Sequence, residues 1–316
     1  MTPDLTEPEH GEVEEITGKY VGVEIEGVTH RVYYEEAGPE DGIPLMCQHT
    51  AGNHGHEWRH LLADEEITED YRVIAYDLPH HGKSLPPTSQ EWWNEDYTLT
   101  EDRFVESIVS IADALELDDP VYMGSSIGGN VVLQLGDWHP DRFRALIGLE
   151  CGTYSPGYYL DWLHHPHVNI AEVSAYACWG LMAPQGPESA RRETMHLYEQ
   201  GSNGLFRGDL YYYSVDHDYR DKLDQVDPNC PVYVMNGEYD FATDPDDARE
   251  VAEGIGDQAT AIEMKSIGHF PMSENPELFN AYLKPVLDEI KGEDVDIPET
   301  MSPEDVGVEL EATSAR

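Results

Sequence analysis

Pro120-Val121-Tyr122-Met123-Gly124-Ser125-Ser126-Ile127-Gly128-Gly129-Asn130 is the stretch on which the fold turns. Its first half is a short apolar run that reads as a buried strand, and residues 126–138 can be helical despite their early glycines. Between the two lies G-x-S-x-G, Gly124 to Gly128, in the strand–turn–helix context that gives the motif meaning. The physics demands small residues there. A serine on a strained turn requires strand and helix to approach within a glycine's width. Gly124, Gly128 and Gly129 meet that demand, which makes Ser126 the candidate nucleophile.

Outward from this motif, short apolar runs alternate with helical patterns. Residues 20–25 and 31–34 read as a hairpin around Gly27, and 44–48, 72–76, 120–123 and 145–149 as strands. Helical spacing over 99–115 (Phe104, Ile108, Ile111, Leu115) fills one interval, and a helix-like stretch at 57–62 another. The alternation predicts an α/β fold with a mainly parallel central sheet flanked by helices. It breaks after Cys151 and resumes with strands at 231–235 and 261–264 and helices near 246–252 and 276–290. The expected organisation is an acidic N-terminal arm (1–18), a first core part (19–151), an insertion (152–226), a second core part (227–291) and an acidic C-terminal tail (292–316).

Serine at its own pKa is a poor nucleophile and needs a base, itself held by a third group. In a fold with G-x-S-x-G on a strand-to-helix turn, the order along the chain is serine, acid, histidine. His269, in Ile267-Gly268-His269-Phe270-Pro271, is well placed late in the chain; the next histidine upstream is His217. Asp240 ends the turn Gly237-Glu238-Tyr239-Asp240 at a strand's carboxyl end, where α/β sites are built. Glu150, after the strand at 145–149, is the competing acid. An oxyanion hole needs backbone N–H groups aimed at developing charge. Ile127 follows the nucleophile, and Ala51 lies in His49-Thr50-Ala51-Gly52, the loop after the strand at 44–48.

The segments Gln48–Gly52, Asp77-Leu78-Pro79-His80-His81-Gly82-Lys83-Ser84, Gly124–Gly129, Gly237–Asp240 and Gly268–Glu274 together resemble the successive landmarks of cap-bearing α/β-hydrolases, over about residues 30–285. The resemblance implies an α/β-hydrolase fold with a helical cap at 152–226. Two positions depart from the family pattern. Thr50 stands where glycine usually follows the histidine, and His80 where D-x-P-G-H-G-x-S has its first glycine. Both bear on the oxyanion loop or the site entrance. Family members that are haloalkane dehalogenases or epoxide hydrolases carry aspartate at the position of Ser126. The serine leaves acyl transfer to water: hydrolysis of an ester, lactone or thioester, or of a carbon–carbon bond as in ring-cleavage products. Some members of the fold are instead ligand receptors.

Residues 152–226 carry a heavy load of aromatics, most of them expected to pack a core. Tyr154, Trp162, Trp179 and Tyr212, with His49, are the candidate pocket residues, and they favour an apolar or aromatic acyl substrate. His54, His56 and His60 have the spacing H-x-H-x-x-x-H, with Trp58 where a metallo-hydrolase has aspartate; they and His164, His165 and His167 read as solvated or rim histidines. No metal or cofactor is expected. The cysteines Cys47, Cys151, Cys178 and Cys230 form no C-x-x-C pair and read as small buried hydrophobes.

Composition bounds the partners. Asp and Glu number 64 against 18 Lys and Arg, a formal net charge of −46, with a pI of about 4.3. Such a chain repels nucleic acid and anionic membrane, so neither is an expected partner. The excess of acid predicts adaptation to molar salt, where the Debye length falls to about 3 Å and self-repulsion is screened. The acidic opening lacks a basic segment leading into an apolar run, which predicts a cytoplasmic protein. The sequence leaves the oligomeric state open.

Overall fold

A computed structural model describes residues 15–202, 204–226 and 228–310. Among the described residues nine strands form a single sheet in the order β1-β2-β4-β3-β5-β6-β7-β8-β9. β1 (Thr17–Ile25) and β2 (Val28–Ala37) make an antiparallel hairpin, with Glu26 and Gly27 both at positive φ in the two-residue turn. β2 pairs antiparallel with β4 (Tyr71–Tyr76). From there β3 (Ile43–Gln48), β5 (Val121–Ser125), β6 (Ala145–Leu149), β7 (Val232–Gly237) and β8 (Ala259–Met264) run parallel. The mainly parallel sheet expected from the alternation is present, extended at one edge by the hairpin.

The strands alternate their side chains between two cores, as the period of two requires. Leu45, Cys47, Val121 and Met123 pack with Trp58 and Phe279 on one face. Met46, Tyr122, Leu146 and Val234 pack with Phe104, Ile108 and Ile111 on the other. These last belong to α1 (Glu101–Ala114), whose N-cap Thr100 accepts the Arg103 N–H at 3.3 Å while Glu101 and Asp102 complement the helix dipole. After β5 come α2 (Ile127–Asn130) and α3 (Val132–Trp138), so the single helix expected over 126–138 is interrupted at Val131.

Between β6 and β7 the chain leaves the sheet and forms α4 (Ile170–Leu181), α5 (Glu188–Glu199) and α6 (Leu205–Tyr211), followed by one π-helical turn, Tyr212–Asp216. α7 (Pro245–Ile255) opens with a capping box between Asp244 and Asp247, and α8 (Pro276–Ile290) closes one face of the sheet. The four cysteines are buried and free. Among the described residues no helix is long and apolar enough to cross a membrane.

The chain ends require correction. β1 begins at Thr17, inside the expected arm, and residues 1–14 lie outside the described residues. The expected tail contains β9 (Thr300–Met301), which pairs parallel with β8. Met301 is buried there, and Ile297, Val306, Val308 and Leu310 pack against the same core. Scattered single apolar residues gave no periodic signal, yet each covers sheet edge. Residues 311–316 lie outside the described residues.

Candidate active site

Ser126 occupies the turn between β5 and α2 with φ 59° and ψ −112°, a backbone conformation a non-glycine residue adopts only under constraint. A Cβ on Gly124 would lie 2.5 Å from the Gly128 carbonyl oxygen, so the crossing of strand and helix admits nothing larger. The strain lifts Ser126 Oγ out of the sheet and places the Ile127 N–H at a helix N-terminus.

His269 and Asp240 reach this serine from the loops after β8 and β7. His269 Nε2 lies 2.9 Å from Ser126 Oγ, and its Nδ1 lies 2.7 Å from Asp240 Oδ2. A carboxylate only accepts, so Nδ1 carries the hydrogen and Nε2 is free to accept from the serine. Asp240 also accepts the Ala242 N–H at 2.8 Å and the Thr243 hydroxyl at 2.9 Å. Burial acts to raise its pKa, but the His269 charge and these donors outweigh it and hold the carboxyl below its ordinary value.

Glu150, the competing acid, does not touch His269. Both its oxygens accept the Gly237 N–H, at 3.0 and 2.9 Å, and it shares a hydrogen bond with Asp240. Burial and the Asp240 charge push its pKa well up. Its φ of 51° turns the chain sharply at the end of β6.

The loop after β3 is tied down residue by residue. The Thr50 N–H donates to Glu57 Oε1 at 2.7 Å, the Gly52 N–H to Asp209 Oδ2 at 2.7 Å and the Asn53 N–H to the Thr50 carbonyl at 3.3 Å. Ala51 lines the same cavity as Ser126 and His269. Thr50, the first departure from the family pattern, does not line that cavity: its hydroxyl donates to Glu57 Oε2 at 2.9 Å and lies 2.5 Å from Tyr198 Oη. His80, the second, keeps the glycine-like backbone, φ 76°, and its ring lies tilted against Tyr97 with centroids 5.2 Å apart, outside the cavity lining. Glu57 is wholly buried, and burial pushes its pKa up to about 8 against three donors.

Of the expected pocket residues only Trp162 lines the cavity. His49 is buried behind the loop, where its Nδ1–H donates to the Thr50 carbonyl at 2.8 Å and Nε2 accepts the Leu78 N–H at 3.1 Å. Tyr154 lies under the Arg220 guanidinium, and Trp179 under Arg191 and Arg192. Tyr212 turns away to Gln134, while its neighbour Tyr213 faces the cavity; helix phase, invisible in a Tyr-Tyr-Tyr run, separates them. Tyr158, Tyr198 and Phe206 also line the cavity, which measures ≈ 150 Å³ and, among the described residues, carries no Lys, Arg, Asp or Glu in its wall. Sequence reading passed over Tyr198 and Asp209, which no motif marks. Glu274 ended a quoted landmark without a role; it accepts the Gly268, Phe270 and Ala183 N–H groups and braces the His269 loop.

His60 is not solvated as expected. It is buried beside Glu193, at 3.3 Å, because α5 covers it. His56, His164, His165 and His167 are exposed, and His54 is half-buried. Among the described residues no cluster of His, Cys, Asp and Glu is arranged to hold a metal ion.

This fold and this site define a hydrolase-type scaffold, and the comparisons agree. Residues 43–177 match the family model of the alpha/beta hydrolase fold, the fold that the sheet and its flanking helices show. It is 22% identical over 285 residues to a non-heme chloroperoxidase of Streptomyces lividans, spanning 79% of this chain and 93% of that one. It is equally 22% identical over 264 residues to 3-oxoadipate enol-lactonase 2 of Acinetobacter baylyi, spanning 80% and 92%. Its fold superposes on a thermophilic esterase from Thermogutta terrifontis with a TM-score of 0.73 at 16% identity, over 87% of this chain and 99% of that one.

Proposed function

We propose that this protein is a serine hydrolase that cleaves a carboxylic ester of small apolar or aromatic character through an acyl-serine intermediate. The observation that carries the reading is His269 standing between Ser126 Oγ and Asp240 Oδ2 at 2.9 and 2.7 Å. Ser126 Oγ attacks the ester carbonyl while His269 Nε2 takes its proton, and Asp240 stabilises the imidazolium. The tetrahedral oxyanion faces the N–H groups of Ile127 and Ala51. The alcohol leaves with the proton from His269. A water then gives its proton to His269 and attacks the acyl carbonyl, and Ser126 recovers its hydrogen as the acid departs.

The cavity wall supports a neutral substrate. A carboxylate, as on ring-cleavage products, would find no cation there, which favours ester over carbon–carbon hydrolysis. A dry cavity of about 150 Å³ accommodates a group the size of benzene, and Trp162, Phe206 and Tyr213 supply aromatic contact. Residues 152–226, which contribute most of that wall, serve as the cap. The esterase and lactonase names among the similar proteins accord with acyl transfer. A p-nitrophenyl phosphonate that labels Ser126 stoichiometrically, together with turnover of p-nitrophenyl acetate and benzoate in high salt, is the expected result. Failure of both would leave a non-catalytic ligand-binding member of the fold.

A further inference from the structure

A buried carboxylate outside the proposed triad joins the helices of 152–226 to the loop that carries Ala51. Asp209, on α6, is fully buried; its Oδ2 accepts the Gly52 N–H at 2.7 Å and lies 2.9 Å from His81 Nε2. The other nitrogen of His81 lies 3.1 Å from the Pro79 carbonyl oxygen, which can only accept. Both ring nitrogens therefore carry hydrogen, and the pair is a buried imidazolium–carboxylate. Burial, the largest single influence, acts to lower the His81 pKa, and the Asp209 charge and hydrogen bond, the Pro79 carbonyl and the Asp77 charge together raise it above its ordinary value. α6 presses on the loop directly: a Cβ on Gly52, whose φ is 69°, would lie 2.8 Å from Phe206 Cβ.

The two peptide planes that flank Ala51 are thus each held by hydrogen bonds. The Thr50 carbonyl accepts from His49 Nδ1 at 2.8 Å and from the Asn53 N–H at 3.3 Å. In a planar trans peptide the Ala51 N–H points opposite to that carbonyl. The Gly52 N–H is held by Asp209. We propose that Asp209, paired with His81, is a positioning residue for ester hydrolysis: from the cap it fixes the Ala51–Gly52 peptide so that the Ala51 N–H meets the oxyanion. The inference rests on the ester-hydrolase reading. The pairing also has an electrostatic purpose, since an uncompensated carboxylate beside the oxyanion would oppose its formation and the imidazolium cancels that field.

The test compares Asp209→Ala and Asp209→Asn with the wild type on p-nitrophenyl acetate. The alanine variant is expected to lose about 10- to 100-fold in kcat, the scale of a misplaced oxyanion donor, with KM changed less than about threefold. Its affinity for phenylboronic acid, a tetrahedral adduct on Ser126, falls by the same factor, while affinity for acetanilide stays. Asn, which keeps an acceptor oxygen for Gly52, recovers most of the loss. Should the alanine variant not fold, Asp209→Leu fills the space without the acceptor and is expected to show the same pattern. Wild-type kcat and boronate affinity in the folded variants overturn the proposal, as do equal losses in boronate and acetanilide binding. Phosphonate labelling of wild-type Ser126 keeps the two readings apart: a labelled enzyme indifferent to Asp209 refutes only this proposal, and an unlabelled, inactive one refutes both.

Discussion

Glu150 stands behind Asp240, joined to it by a hydrogen bond, and both its oxygens accept the Gly237 N–H at the start of the turn that Asp240 ends. Two carboxyls that share a hydrogen bond hold one proton between them. Burial and the Asp240 charge push the Glu150 pKa well up, whereas the His269 charge and hydrogen bonds overcome burial at Asp240 and hold it below its ordinary value. Glu150 therefore holds the turn behind Asp240, and it is Asp240 that reaches His269.

Asp240→Asn is expected to lower kcat by about 10⁴, the loss seen when a triad's orienting carboxylate goes. Glu150→Gln, which can still donate to Asp240, is expected to cost less than about tenfold. Steady-state kinetics on p-nitrophenyl acetate decide it. A reversed order would move the acid to the end of β6.

Ser126→Ala and His269→Ala are each expected to lower kcat by roughly 10⁴–10⁶, with the double variant no worse than either single one, because the residues act as a unit. Losses that multiply in the double variant would contradict a shared mechanism.

Trp162 and Trp179 separate pocket wall from surface support. Trp162→Ala is expected to raise KM for p-nitrophenyl benzoate about tenfold, the worth of one lost apolar contact in a pocket. Trp179→Ala, which removes a stack on Arg191 and Arg192, leaves KM unchanged within about twofold. Equal effects would mean that the cavity does not bind the acyl group.

Glu57 imposes a pH dependence on stability. Its carboxyl titrates near 4.5 when exposed and at about 8 in the fold, raised by burial. A raised carboxyl contributes stability that is fully present below the exposed value and is lost as pH rises through the folded one. Wild type should therefore lose stability between pH 5 and 8 relative to Glu57→Gln, by up to about 1.4 kcal/mol per pH unit. Denaturant midpoints measured across that range test it; parallel curves for the two proteins would show that Glu57 ionises freely in the fold.

Salt is expected to govern stability more than chemistry, given a net charge of −46. At about 0.1 M salt the Debye length is roughly 10 Å, so neighbouring surface carboxylates still repel, whereas in molar KCl they are screened. A domain has only about 5–15 kcal/mol of stability against many small repulsions. The melting temperature should rise steeply from dilute buffer to 2 M KCl, with activity following the folded fraction. A flat melting curve across that series would discard the salt-adapted reading.

Local pattern and chain order were enough to determine the sheet and the candidate nucleophile and base of this protein. Glycines at 124 and 128 around Ser126 could serve only a tight strand-to-helix crossing, and the order Ser126, Asp240, His269 put each at a strand's carboxyl end. Each of those motifs is encoded within a few residues of its own, so it is legible without knowledge of the rest. Only tertiary structure decided the choice of Asp240 over Glu150, because both follow strands and their difference is which way a buried carboxyl points. It also decided the pocket wall: Tyr212 and Tyr213 are adjacent and chemically identical, and a single residue's step around the helix sends the first to Gln134 and the second to the cavity. Asp209 and Met301 were silent for the same physical reason. Their partners, Gly52 at 157 residues' separation and the strand Ala259–Met264, are close in space and distant along the chain.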